Sequence, residues 1–434
     1  MNLQITRRSM LKFGLATGTI ASLGTTMGCS SSPAAGSEAS WSMWSTGAAE
    51  DKVWKDFKNY VDSTLKINST SNLTPSKGYQ TKFDLQLASG TTSMVAAVSG
   101  TLIPAYAARG ALMPLDDLIK ADPSFDADDF YADSRKICSF NNKTYALGLD
   151  VAPTILYYNK TLFQELGVPL PSAREPMTWE QFHASAKAFT KKTDVYGFTC
   201  TPNIDDLMSW IYSAGGDLLN SDQTASALSS EASMKAMTFV HDLFVKDRIT
   251  PPITNLVTEN ALSNFLQGNV AYLQNGPWQV LNLRNAKFEW DVVPFPQGPA
   301  GSLPRVSGSG FAIPAETKDA ETAWKLLKAL TSKDALDIYA SAGRNNPARK
   351  SAATAFVPPP ANLGIVQEIL DGKLAGGHTF DVTTNWGEIR QLLSTDLPRS
   401  FLGQISLEDA VKSFTPELNA LIGTHHETML KTAS

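Results

Sequence analysis

Apolar and polar residues alternate along Ser40–Trp44, the two-residue period of a strand. Ser45-Thr46-Gly47 then turns the chain into a helix near Ala48–Val61, where Trp54, Phe57 and Val61 share one face. Tyr79–Leu87 predicts a second helix, ended by Ala88-Ser89-Gly90, and Val95–Val98 is a continuous apolar run of the kind a buried parallel strand makes. Leu102–Ala108 reads as a helix stopped by Gly110, and Met113–Ile119 starts another after Pro114. Cys138–Ala146 predicts a hairpin turning at Asn141-Asn142. Tyr145–Leu149 and Thr154–Asn159 read as strands, and Thr178-Trp179-Glu180-Gln181 opens a helix with Thr178 as N-cap and Gln181 three residues on. Strand and helix patterns alternate to about Pro304 without a tandem repeat, which predicts an α/β protein with mostly parallel sheets.

The first residues follow none of these periods. Residues 1–28 carry Arg7, Arg8 and Lys12, no acid, and a mild apolar stretch from Phe13 to Met27 that is too short to span a bilayer stably. Thr6-Arg7-Arg8-Ser9-Met10-Leu11-Lys12 resembles a twin-arginine export signal. Cys29 follows Thr26-Met27-Gly28 and precedes a Ser/Ala/Gly-rich run. That arrangement resembles a lipoprotein cleavage site, with Cys29 as lipid anchor and residues 29–37 as a flexible tether.

Composition narrows the classes. The 434 residues suffice for two domains, and 43% apolar with 18% charged residues is a globular balance. The formal charge of −5 becomes −8 once the three basic residues of the leader are removed, which argues against a nucleic-acid partner. Three cysteines are too few for a disulfide scaffold; Cys138 and Cys200 either pair or stay as two buried thiols. Five His without ligand spacing, no phosphate loop and no nucleophile elbow give no catalytic or cofactor signature, so no metal and no cofactor is expected.

A longer constellation carries more information. Ala108-Arg109-Gly110-Ala111-Leu112-Met113-Pro114-Leu115-Asp116 is followed by Lys143-Thr144-Tyr145-Ala146-Leu147-Gly148 and Leu156-Tyr157-Tyr158-Asn159-Lys160. Ala214-Gly215-Gly216, Gly268-Asn269-Val270-Ala271-Tyr272, Asn275-Gly276-Pro277-Trp278 and Gly308-Ser309-Gly310-Phe311-Ala312 come later in the same order. Over roughly residues 40–425 the chain resembles the family 1 extracellular solute-binding proteins, the maltose-binding-protein-like sugar receptors of bacterial ABC importers. One departure is that Thr91-Thr92 follows Ala88-Ser89-Gly90 where the family commonly has Pro-Asp.

The resemblance implies a two-lobe periplasmic-binding-protein type II fold, each lobe a mostly parallel sheet flanked by helices, with the ligand between the lobes. Lobe 1 is expected at 38–149 plus 305–345 and lobe 2 at 150–304 plus 346–434. It further implies a monomer that captures a mono- or oligosaccharide by hinge closure and delivers it to membrane permease subunits. A non-sugar solute on the same fold, or an exported carbohydrate-active enzyme with a carboxylate pair, stays as the alternative.

A sugar needs flat rings for its C–H faces and polar groups for its hydroxyls. Trp44, at the end of the first strand, is a stacking ring or local core. Gly276 and Pro277 make a rigid loop for Trp278, and relatives often stack the matching ring on ligand; Trp386 resembles another such position, and Trp210 is a further possibility. In relatives the position of Asp150 holds a hydroxyl-binding acid, although a carboxylate there can also cap a turn. Ser99 and Thr101 flank Gly100 at a strand end, and Tyr79, Gly308 and Arg344 complete the candidates, Arg344 either gripping ligand or bracing the hinge. Trp54, Trp179 and Trp324 read as core.

Overall fold

A computed structural model describes residues 39–252, 260–356, 359–374 and 376–433. The leader at 1–28, Cys29 and the tether at 29–37 lie outside these residues. The chain opens with β1 (Ser40–Ser45), α1 (Ala48–Leu65), β2 (Thr70–Pro75), α2 (Ser76–Ser89), β3 (Val95–Ser99), α3 (Ile103–Ala108), α4 (Asp116–Lys120) and α5 (Ala132–Ile137). A small hairpin, β4 (Ser139–Phe140) and β5 (Lys143–Thr144), leads into β6 (Ala146–Pro153), β7 (Ile155–Asn159) and α6 (Lys160–Leu166). Next come α7 (Trp179–Phe189), β8 (Tyr196–Thr199), α8 (Ile204–Ser213), α9 (Glu231–Val245), α10 (Asn260–Leu266), β9 (Val270–Asn275), α11 (Val280–Leu283) and β10 (Trp290–Val293). The chain ends with β11 (Arg305–Ala312), α12 (Ala320–Leu330), α13 (Lys333–Ser341), α14 (Ile365–Leu370), β12 (His378–Thr379), α15 (Trp386–Phe401) and α16 (Leu407–Ala433).

Local chemistry explains most of these boundaries. In α1 the buried residues Val53, Trp54, Phe57 and Val61 recur at helical spacing. In α2 Lys77 and Gly78 depart from helical angles, so regular helix begins at Tyr79, and Gly90 ends it in the left-handed conformation at φ 65°. Asn141 and Asn142 both take positive φ, at 47° and 58°, as a two-residue hairpin of this handedness requires. Thr178 and Gln181 form a reciprocal capping box at the start of α7.

The strands form two main sheets. The first has the order β12-β11-β3-β1-β2, with β6 also paired to β11. The second has the order β10-β7-β9-β8. Both are mixed, not mostly parallel as expected: β1 runs parallel to β2 and β3, and β8 to β9, whereas β11 runs antiparallel to β3 and β6, and β7 antiparallel to β9 and β10. The mixture follows from the path: β11 re-enters the first sheet after the chain has built the second. The first sheet packs around Trp41, Trp54, Phe57, Phe83 and Phe311. The second is covered on one side by a cluster that includes Phe182, Trp210, Tyr272 and Trp386, and on the other by Tyr157, Leu273, Val292 and Val366. Trp54, Trp179 and Trp324 are core rings, as their helical positions imply.

Two stretches differ from the sequence reading. β6 does not stop at Leu149 but runs to Pro153, every residue buried, because β11 pairs with it as far as Val306–Pro153. Asp150 therefore lies inside a strand rather than after one. β12, from a segment expected in the second lobe, adds two residues to the first sheet beside Arg305 and Val306. Cys138 and Cys200 are both free and buried, one in each of two separate cores, so they do not pair; burial pushes the Cys138 thiol up to about 12.

Candidate functional site

The chain leaves the first sheet between β6 and β7 and returns to it between β10 and β11, and the Asn345–Ala348 stretch lies beside these passages. β6 passes directly into β7 through Thr154, whose N–H donates to the Arg305 carbonyl at 2.9 Å. β11 returns beside β6, and the Asn345–Ala348 stretch runs along it, with Val151 N–H donating to Asn346 O at 3.2 Å and Ala348 N–H to Leu149 O at 3.1 Å.

Buried charges tie these passages to the first helix. Glu50, 1% exposed, accepts from Thr46 N–H at 2.5 Å and from the Thr46 hydroxyl at 2.6 Å, and its other oxygen is paired with Arg344 Nε. Asp150 accepts from Ser309 N–H at 2.8 Å, from the Ser309 hydroxyl at 2.9 Å and from the Tyr339 phenol at 2.5 Å. Burial first, and the Asp150 carboxylate next, push the Tyr339 phenol well up, so it stays a donor. Both Asp150 and Arg344 are thus engaged within the protein, and neither carboxylate oxygen of Asp150 is left unpartnered.

Beside these passages lies a string of four hollows, three lined from both halves of the protein and the aromatic one by the first half alone. One, of about 1000 Å³, lies between Ser45, Gly47 and Lys77 on one side and Asn275, Gln279 and Asn282 on the other. It adjoins, through Ser76, an aromatic hollow of about 260 Å³ floored by Trp44, Tyr79, Phe83 and Tyr106, with Gln80 and Ser99 among its polar groups. Gln80 and Leu102 carry the string on to a third hollow of about 470 Å³, where the second lobe presents Asn203, Asp205 and Arg390. A fourth, of about 540 Å³, holds Thr101 and Gly308 and is crossed by the Lys136–Asp381 pair at 2.8 Å. Such hollows between rigid walls are the usual place for a small-molecule ligand.

The structure therefore brings Trp44, Tyr79 and Ser99 together. Trp44 is half-buried and stands edge-on to Tyr79 at 5.4 Å between centroids. The Tyr79 phenol is turned inward, donating to Ala97 O at 2.8 Å, so its ring rather than its hydroxyl meets the hollow. Ser99 and Thr101 share a 3.1 Å hydroxyl contact but line different hollows. Gly276 and the half-buried Trp278 stand in the chain between Asn275 and Gln279, which line the facing wall, but neither of them lines any of the four hollows.

Trp210 and Trp386 depart from the sequence reading, for both rings are 0% exposed. Trp210 packs among Trp179, Phe182, Phe198 and Phe295, and Trp386 against Phe380 at 4.6 Å. A helix places a ring by its face, and here that face is the one turned to the second sheet. Trp210 still shapes the wall: its Nε1–H donates to Gln274 Oε1 at 2.7 Å, and Gln274 Nε2–H donates to Asp206 O at 2.7 Å.

Sequence reasoning passed over Asn203, Asp205 and Arg390. Asn203 follows the end of β8 and caps α8, and the strand-end rule applied there would have found it. Asp205 is clamped between Arg305 at 3.5 Å and Arg390 at 3.0 Å. Beside it Asp206 accepts from Thr201 N–H at 3.0 Å. Burial, against the pull of Arg305, raises the Asp206 carboxyl to about 7.

Comparison with known proteins agrees with this architecture. Residues 42–337, more than half of the chain, match the bacterial extracellular solute-binding protein family, and the chain belongs to it. It is 24% identical over 313 residues to the maltodextrin-binding protein MdxE of Bacillus subtilis, covering 69% of this chain and 74% of that one. Its fold matches the ABC substrate-binding protein Lmo0181 from Listeria monocytogenes, solved with cycloalternan, at a TM-score of 0.80 with 22% identity, over 89% of this chain and 99% of that one. UgpB from Mycobacterium tuberculosis, solved with glycerophosphocholine, matches at 0.75 with 17% identity, over 90% and 99%. The protein is an extracytoplasmic solute-binding protein with the two-lobe fold of that family. Among the described residues no helix is long and apolar enough to cross a membrane.

Two outcomes test the buried ion pair and the cleft wall. Arg344→Ala leaves Glu50 buried without its partner and should cost about 3–5 kcal/mol. Glu50→Gln combined with Arg344→Ala should cost less than the two single changes summed; urea unfolding at pH 7 that finds the two costs simply additive refutes the coupling. The folded state holds the Asp206 proton up to about pH 7, whereas an unfolded carboxyl releases it near 4. Ionisation therefore costs stability as pH rises from about 4 to 7. Asp206→Asn should raise the melting temperature at pH 8 by a few degrees and leave it unchanged near pH 4, as read by calorimetry.

Proposed function

We propose that the solute is a neutral mono- or oligosaccharide, held between the lobes and enclosed by hinge closure. The aromatic hollow carries this reading: Trp44, Tyr79, Phe83 and Tyr106 offer apolar ring surface directly beside Ser76, Gln80 and Ser99. Ring faces suit the C–H patches of a sugar, and short polar side chains suit its hydroxyls. Trp44 and Trp278 are read as the stacking rings. Tyr79 is read as floor, and Ser99, Thr101, Gly276 and Gly308 as polar or close-packed backbone edges. The lobes are taken as 38–149 plus 305–345 and 150–304 plus 346–434, moving about the passages between the sheets. Relatives solved with cycloalternan and named for maltodextrin support a carbohydrate; the neighbour solved with glycerophosphocholine keeps a phosphodiester in the test.

The receptor is further read as a monomer, exported by the twin-arginine leader at 1–28 and anchored through Cys29 by the tether at 29–37.

A melting-shift screen should include maltotriose, diacetylchitobiose, tagatose, glycerophosphocholine and spermidine, since ligand bound to the native state raises its melting point. A shift with a carbohydrate is expected; shifts confined to the last two would overturn the sugar reading. Trp278→Ala and Trp44→Ala should each weaken the sugar that binds by about 10- to 100-fold, or ~1.4–2.8 kcal/mol, in calorimetry. Unchanged affinity in both variants removes the rings from the site. For the anchor, detergent-phase partition of protein from cells should be lost in Cys29→Ser, and aqueous partition of the unaltered chain would refute lipidation.

A further inference from the structure

The loop that carries Trp278 contains a glycine whose backbone does not need one. Gly276 has φ −96° and ψ 166°, an extended conformation open to any L-residue. Space, not conformation, is what excludes a side chain. An ideal Cβ on Gly276 would lie 2.0 Å from Cζ3, 2.1 Å from Cη2 and 2.4 Å from Cε3 of Trp278, and these are its three nearest atoms. The six-membered half of the indole therefore occupies the volume that a methyl group would fill. Gly148 and Gly197 are tight for a different reason, hemmed in by the core: Gly148 by Ser134 and Ala348, Gly197 by the Ala186 backbone.

The glycine cannot retreat to make room. Its N–H donates to Asn275 Oδ1 at 2.9 Å, and its carbonyl accepts from the buried Tyr157 phenol at 2.8 Å and from Gln279 N–H at 3.2 Å. Pro277 stiffens the next step by fixing φ. The indole is the movable partner, for it is half-buried and its chain position is two residues on.

We infer that Gly276 is the positioning residue for Trp278: its bare Cα face is the seat that holds the indole in one place against the loop. The assignment of this ring to sugar stacking rests on the proposed function; the seat itself does not. A seated ring loses no rotamer freedom when a ligand arrives, so the loop presents a preorganised platform.

Fluorine NMR on protein labelled with 5-fluorotryptophan tests this without any ligand. The chain has nine Trp, and the Trp278 resonance is the one lost in Trp278→Phe. In Gly276→Ala that resonance should shift or broaden while the other eight stay in place; an unmoved Trp278 resonance overturns the inference. If Gly276→Ala does not fold, the double variant Gly276→Ala with Trp278→Ala should fold, because the clashing ring is gone, and its failure to fold would equally overturn it. Binding is measured with the panel carbohydrate that gives the unaltered chain its largest melting shift. Gly276→Ala should weaken that binding about tenfold in the native background and less than twofold in the Trp278→Ala background. Additive losses in the two backgrounds refute positioning. No carbohydrate binding at all, with the fluorine shift present, refutes the sugar reading and leaves the seat standing.

Discussion

Glu50 and Arg344 face each other where water is nearly absent, and the geometry around the passages between the sheets follows from that pairing. A charge taken out of water is tolerable when its partner and its remaining lone pairs are supplied by the protein. Glu50 meets this condition by holding Arg344 with one oxygen and the Thr46 backbone and hydroxyl with the other. Thr46 stands beside Ser45 and Gly47 at the edge of the 1000 Å³ hollow, so an ion pair inside the protein sets the shape of a wall outside it. Arg344 in turn leads into the Asn345–Ala348 stretch, and Tyr339, near the end of the preceding α13, is bonded to Asp150 in β6. β6, β11, the Asn345–Ala348 stretch and the start of α1 thus form one connected polar unit.

The hollows differ in how closely their two sides meet. At one end Lys136–Asp381 and the Asn141–Thr432 contact at 2.6 Å already join the lobes, whereas the 1000 Å³ hollow at the other end leaves the Ser45–Gly47 edge apart from Asn275 and Gln279. The walls are also unequal in kind. The first lobe contributes most of the ring surface; the second contributes amides and the Arg305–Asp205–Arg390 clamp. A solute touched by both would meet apolar faces from one side and directional polar groups from the other, which gives orientation as well as affinity.

Local signals were legible wherever a few consecutive residues decide the outcome. The face of α1, the Thr178–Gln181 box, the Asn141-Asn142 turn and the Gly90 stop all follow from spacing or from one backbone angle. Trp44 at a strand end was legible for the same reason, since β1 ends at Ser45 and opens onto a hollow. The order of motifs carried the family, which the match over residues 42–337 shows independently.

What the sequence by itself determined is the inventory of elements, the supply of rings and the two-lobe α/β plan. Which rings line a hollow was decided by tertiary structure. Trp210 and Trp386 are as large and as suitably placed along the chain as Trp44, yet both are enclosed because their helices turn those faces to the second sheet. Asp150 and Arg344 are polar residues near the passages between the sheets, as a ligand site would want, but their partners Ser309, Tyr339 and Glu50 lie 159, 189 and 294 residues away in sequence. Spacing along a chain cannot show whether such a group meets a sugar or another side chain. That depends on which strands lie together, and β11 settles it by returning beside β6 after the second sheet is complete.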